Sequence, residues 1–247
     1  MTDARSPIYP GDVPRFVPVA DHGLLVEFVG DDAHHDRDEA AEGRANDAVV
    51  ALDQAIAAAA IPGVVDVVPA LVNLLVAFDP LVTDHVTVEA GVRSVLDGLV
   101  SVRRTPAVHR VPVCYDEAVA PDLGAVADAC GLSTEAVIDA HLAGDYRVVM
   151  YGFAPGYAYL GGVRPEIQVP RKTSPVRGVA AGSVIIAGPQ CLITTLTMPT
   201  GWSVIGASPT RIIPADPDEP FLFEPGDRVA FERISLDELP DPGGVEA

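Results

Sequence analysis

The chain has 247 residues, 49% apolar and 21% charged, so apolar burial can offset the conformational entropy lost on folding over a length that suits two domains. Its 16 basic and 35 acidic residues leave a formal net charge of −19, a field that repels phosphate backbones and anionic lipid surfaces. Nucleic acid and membrane are therefore not expected partners, and an anionic ligand would need a local cluster of cations. The three cysteines, Cys114, Cys130 and Cys191, are odd in number and far apart, which argues against a disulfide framework. Asp3, Arg5, Pro7 and Pro10 occupy the start of the chain where a signal peptide needs an apolar run, and no stretch is long and apolar enough to span a bilayer. A soluble, cytoplasmic protein is expected.

In chain order, Phe16–Val19 and Leu24–Val29 read as two strands joined by the turn Asp21-His22-Gly23. His34-His35 follows in an acidic stretch; adjacent histidines on a polar loop do not readily share an ion, so a solvated loop and no metal site are expected. From Arg44 to Ala60, Ala45, Val49, Leu52 and Ile56 recur at helical spacing, closed by Pro62-Gly63. Val64–Val68 and Leu71–Phe78 read as a second strand pair. Asp84 opens another helix with a buried stripe of Val88, Val92, Val95 and Leu99 and an exit at Gly98. This order predicts a two-layer α+β sandwich over residues 1–104.

Thr105–Tyr115 reads as a crossing segment with Val108–Val113 extended. Two helices follow: one presents Leu123, Val126, Ala127 and Cys130 and ends at Gly131, the other is capped by Ser133 and presents Val137, Ile138, His141 and Leu142. From Tyr151 onward Gly and Pro recur every few residues. Short apolar runs lie between them, such as Val184–Ala187, Leu192–Leu196 and Val204-Ile205, which predicts a barrel or sandwich of short strands. Near the end, Pro225-Gly226-Asp227 turns between the run Phe221–Phe223 and the strand Val229–Glu232. The second domain is placed at 105–236, and 237–247, rich in Pro, Gly and acid, is expected to be a flexible tail.

The densest unusual segment is Tyr151–Gly162. Its glycines Gly152, Gly156, Gly161 and Gly162 permit positive φ and close approach of a ligand, while Phe153, Pro155 and Tyr159 can wall a pocket; the same pattern also suits a barrel corner. Arg171, Lys172 and Arg177 then gather three cations within seven positions of an acidic chain. They can grip a carboxylate or phosphate, or merely balance nearby acids. His141 reads either as a helix-end histidine bonded to backbone carbonyls or as an acid–base group. Gln190-Cys191 lies in a strand whose alternate side chains can face a cavity, and Trp202 reads as a core anchor.

At these residues the sequence resembles the B subunit of ATP-dependent 5-oxoprolinase, a family also known as allophanate hydrolase subunit 1 that includes a sporulation-kinase inhibitor. The resemblance runs in order through Gly152-Phe153-Ala154-Pro155-Gly156, Tyr159-Leu160-Gly161-Gly162, Val169-Pro170-Arg171, Pro175, Arg177 and Ala181-Gly182-Ser183-Val184. It continues through Gln190, Gly201-Trp202, Ile205-Gly206 and Pro225-Gly226-Asp227, and backward through Pro62-Gly63-Val64 and Asp79-Pro80. It implies an N-terminal α+β domain followed by a cyclophilin-like closed β-barrel. It also implies a homologous-barrel partner, the C subunit (allophanate hydrolase subunit 2-like), and often a third component, the A subunit, with ATP held by the complex on this or another of its chains.

Such complexes open a lactam, 5-oxoproline, to glutamate. Similar sequence occurs in the carboxyltransferase part of urea carboxylase, but the chain has no Ala-Met-Lys-Met and so carries no biotin itself. On this reading Arg171, Lys172 and Arg177 bind the anion, and Gly152, Phe153, Pro155, Gly156, Tyr159, Gly161 and Gly162 shape the pocket. His141 and Gln190 are the candidate catalytic groups. The family also leaves open inhibition of a sensor histidine kinase and a part in urea or allophanate metabolism. Cys191-Leu192 and Thr200-Gly201 stand where many relatives have Thr-Gly and Gly-Gly, which bears on the pocket lining.

Overall fold

The structure, a computed structural model, describes residues 14–28, 39–98, 105–216 and 220–239. The chain divides into two compact units, one ending at Thr105 and one beginning at Pro106.

In the first unit, strands β1 (Arg15–Val19), β2 (Gly23–Glu27), β3 (Val64–Pro69) and β4 (Asn73–Phe78) form an antiparallel sheet in the order β1-β2-β4-β3. Helices α1 (Glu39–Ala59) and α2 (His85–Asp97) cover it. The predicted hairpin is present, but its turn is Ala20-Asp21-His22, and Gly23 is already the first residue of β2. Alternate residues Leu24, Val26, Leu74, Val76 and Phe78 meet Ala45, Val49, Leu52 and Ile56 of α1 and Val88 and Val92 of α2 in one core. The Asp84 carboxylate caps α2 by accepting from the Thr87 N–H at 2.8 Å. Val95 is only partly buried, while Leu99 and the His34-His35 pair lie outside the described residues.

The second unit is built on a closed barrel. Its strands are β5 (Val108–Cys114), β6 (Tyr146–Tyr151), β7 (Ala158–Gly161), β9 (Ser183–Ala187), β10 (Gln190–Ile193), β12 (Ser203–Ala207) and β13 (Arg228–Ile234), in the order β10-β7-β6-β13-β5-β12-β9. The stretch expected to cross between domains is thus the barrel's first strand. Every barrel pairing is antiparallel except β13 with β5, which run parallel from Arg228↔Val108 to Ile234↔Cys114. A separate ribbon pairs β8 (Val176–Val179) with β11 (Met198–Thr200).

Helices α3 (Leu123–Cys130) and α4 (Thr134–Leu142) end and begin where the sequence predicts: Gly131 closes α3 at φ +67°, and the Ser133 hydroxyl accepts from the Ala136 N–H. Inward-facing Val111, Val113, Val148, Leu160, Val184, Ile186, Ile193, Val229 and Phe231 fill the barrel together with side chains of both helices. The alternate, outward residues Ile185, Leu192 and Val204 pack with Tyr157, Val179 and Trp202 in a second cluster on the barrel's outer face.

Phe221–Phe223 is not a strand. Phe223 is buried and its carbonyl accepts the Tyr151 hydroxyl, while the turn after it is organised by Asp227. The buried Asp227 carboxylate accepts from the backbone N–H of Ala107 and of Glu224, both at 3.0 Å, and lies 2.9 Å from His109 Nε2. The expected tail also begins in order: Leu236–Glu238 form a 3-10 turn in which Ser235 and Glu238 cap each other, and 240–247 lie outside the described residues. Among the described residues no helix is long and apolar enough to cross a membrane.

Candidate functional site

The glycine-rich segment is divided by a strand. Gly152–Tyr157 makes the turn between β6 and β7, held by Ala154 N–H to Gly152 C=O at 2.8 Å and Tyr157 N–H to Ala154 C=O at 3.1 Å. Gly156 sits at φ +71°, where a Cβ would lie 2.9 Å from Ile213 Cγ1, so both its conformation and its contacts require glycine. Phe153 adopts φ +69° and is 74% exposed, a conformation that bulky side chains rarely hold.

Gly161 and Gly162 lie at the far end of β7. A Cβ on Gly162 would come within 2.2 Å of the Asp145 carbonyl oxygen, so this glycine serves close packing of backbone on backbone. The expectation of one glycine pocket is corrected accordingly, because the intervening strand holds its two halves apart.

Aromatic side chains connect the Gly152–Tyr157 turn to the cations. The Tyr157 hydroxyl donates to Met198 Sδ at 2.6 Å, the Tyr159 ring meets Trp202 edge-on at 5.9 Å, and the Arg171 guanidinium lies over Trp202 at 5.4 Å from its centroid. Trp202 is buried in the outer cluster, the anchor the sequence predicts.

The three cations differ in what they touch. Lys172 Nζ pairs with Asp122 Oδ2 at 2.5 Å, and the same oxygen accepts from the Val204 N–H at 2.7 Å. Its charge fastens its loop to the start of α3 and to β12. Arg171 and Arg177, the latter on β8, are exposed, and neither forms an ion pair among the described residues. The cation cluster of the sequence thus resolves into one structural lysine, Arg171 over the Trp202 ring, and an exposed Arg177 on β8, the two arginines forming no ion pair among the described residues.

His141 and Gln190 do not form a pair. His141 is fully buried inside the barrel, with Nδ1 2.7 Å from the Tyr115 hydroxyl, Nε2 3.6 Å from Cys191 Sγ, and its ring stacked on Phe231 at 4.5 Å. It bonds to side chains and not to backbone carbonyls. Burial pushes its pKa down to about 3, so the imidazole is neutral at ordinary pH. Burial also raises the Cys191 thiol and the Tyr115 hydroxyl far above their usual ranges, keeping both protonated. Gln190 opens β10, half-buried, in register with Gly161 and Ala187; since Cys191 faces inward, Gln190 points to the other side of the barrel wall.

Tyr115 and Asp122 carry no signal in the sequence, because each acts through partners distant along the chain. A cleft of about 1370 Å³ elsewhere in the unit is lined by Tyr115, Asp116, Glu117, Glu135 and Arg233 among others, and contains none of the predicted site residues. Among the described residues no group of three or more His, Cys, Asp or Glu side chains is arranged to hold a metal ion.

Residues 14–223 match the family model for the carboxyltransferase domain, subdomain C and D. Over 185 residues the chain is 39% identical to the B subunit of 5-oxoprolinase from Bacillus subtilis (strain 168), covering 70% of this chain and 77% of that protein. The chain belongs to the family of 5-oxoprolinase B subunits. Among solved structures, TTHA0988 is similar to it with a TM-score of 0.72 and 35% identity over 87% of this chain, which spans only 40% of that longer one. The Kluyveromyces lactis urea amidolyase shares the fold, at a TM-score of 0.69 and 15% identity, over 96% of this chain and 16% of that one.

Proposed function

We propose that the chain is one component of a multi-subunit hydrolase that opens 5-oxoproline, a five-membered cyclic amide, to glutamate with hydrolysis of ATP. It acts with a homologous-barrel partner, the C subunit, and with a third component, the A subunit. The observation that supports this reading, beside the family, is the two exposed guanidinium groups of Arg171, over the Trp202 ring, and Arg177, neither in an ion pair among the described residues of a chain with net charge −19. An unstrained lactam opens reluctantly. Transfer of the γ-phosphoryl group to the lactam oxygen activates the ring carbon; water then adds at that carbon and the C–N bond breaks, leaving an acyl phosphate and the free amine, and a second water cleaves the acyl phosphate to the carboxylate and phosphate. Each species carries negative charge on the substrate carboxylate and the transferred group, which guanidinium groups and backbone N–H donors stabilise. Because these arginines stand on an open surface, a partner chain completes the site and excludes water from it.

The test is co-expression with the genes encoded alongside, followed by purification and measurement of glutamate and ADP formed from 5-oxoproline and ATP. Arg171→Ala and Arg177→Ala are expected to lower turnover on the order of 100-fold while the subunits still co-purify. A complex that forms but shows no 5-oxoproline-dependent ADP release sinks the proposal.

A further inference from the structure

Three loops of the barrel unit meet at one end of the barrel. The antiparallel registers put the turn Gly152–Tyr157, the segment that leaves β10 at Thr194, and the segment that leaves β12 at Ser208 on the same side. They touch: the Thr195 hydroxyl donates to the Pro155 carbonyl at 2.8 Å, and Gly156 is bare because Ile213 and Thr195 leave no room for a side chain. Each loop turns an apolar side chain into water, with Phe153 exposed by 74%, Ile213 by 41% and Leu196 by 39%. Arg211, two positions before Ile213, is exposed and forms no ion pair among the described residues.

We infer that this loop end is a docking surface for the companion homologous-barrel chain, through a facing patch that is apolar at its centre and bears carboxylates at its rim. The inference rests on the multi-subunit reading above. Three observations support it. Phe153 is held in the left-handed region and is 74% exposed, its ring meeting that of Tyr157 at 5.6 Å between centroids, and burial of its open face against another protein explains an apolar ring kept there. Arg211 stands exposed beside this apolar patch, where a carboxylate of the facing chain can pair with it. The TTHA0988 chain is far longer than the 40% matched here, so a solved relative joins further polypeptide to this same fold.

The experiment measures the affinity of the full chain for the C subunit encoded alongside it, by titration calorimetry, with circular-dichroism melts of each variant. Phe153→Gly and Ile213→Glu are expected to weaken binding by about tenfold or more. Phe153→Gly should melt no lower than the parent, because glycine relieves the backbone at this position; a ring needed only for the fold would show the reverse. Arg211→Glu is expected to slow association and flatten its salt dependence. Leu81→Glu, at a 94% exposed position of the first unit, should bind as the parent does. Parent-like binding by the loop variants overturns the docking surface while leaving the multi-subunit reading intact. Absence of any complex with the parent chain overturns both. A self-dimer of the chain alone that Phe153→Gly dissolves shows the occupant to be a second copy and overturns the assignment to the C subunit.

Discussion

Substitution of His141 by Phe keeps a ring of similar size in the barrel and removes the one buried imidazole there. In the unfolded chain this histidine titrates near its ordinary 6.5, whereas in the folded barrel burial holds it at about 3. Between those values the unfolded chain takes up a proton that the folded barrel refuses. Stability is therefore full above pH 6.5 and falls as the pH is lowered, by about 1.4 kcal/mol per unit, until the pH approaches 3. At pH 5 the loss is about 2 kcal/mol. The variant also strands the Tyr115 hydroxyl, at about 1–3 kcal/mol. That penalty is equal at both pH values, because burial keeps Tyr115 protonated throughout. Trp202 is the single tryptophan and sits in the barrel unit, so its fluorescence follows urea unfolding of that unit alone. The parent should lose about 2 kcal/mol more than His141→Phe between pH 8 and pH 5. Parallel pH slopes for the two proteins would refute a neutral, buried His141.

The first unit has a group of opposite sign. Desolvation, aided by the nearby Asp66, raises Asp53 to about 6, so the folded unit is favoured by protonation and this contribution is lost as the pH rises from 4 through 6. Asp53→Asn should accordingly slow amide hydrogen exchange in α1 and β3 at pH 8 and have little effect at pH 4; equal effects at both would exclude the shift. Gly162→Ala forces a methyl group against the Asp145 carbonyl at φ +112°, and a destabilisation of about 3 kcal/mol or more is expected by urea unfolding followed at Trp202. A loss under 1 kcal/mol would show that the β6–β7 end can relax.

Local features were legible in the sequence. The caps at Asp84 and Ser133, the left-handed Gly131 and the alternating strands of both sheets are each decided within a few residues, where propensity and periodicity act. The pairing of Lys172 with Asp122 spans 50 positions, and the contact of His141 with Cys191 spans another 50, so neither leaves a local signature. That is why a structural lysine reads as a ligand group and a core histidine reads as a catalytic candidate. Phe153 reads as a pocket wall from its identity, but its left-handed backbone has no sequence signal, since aromatic residues seldom adopt it. The run Phe221–Phe223 misleads for another reason: it is apolar because it buries Phe223, while its Leu222 N–H pairs singly with the Ile212 carbonyl outside any ladder.

The parallel seam between β13 and β5 sets a timetable for biosynthesis. The first unit possesses every strand of its sheet once the ribosome has made Phe78, but the barrel needs Arg228–Ile234 to fill the gap between β5 and β6. At translation speeds of about 5–20 residues per second, the stretch from the end of β6 at Tyr151 to Arg228 takes roughly 4 to 15 s. Throughout that interval two unsatisfied strand edges are available to neighbouring nascent chains. A transcript cut short before Arg228 would yield a protein with a finished first unit and a permanently open second one, a substrate for chaperones and proteases.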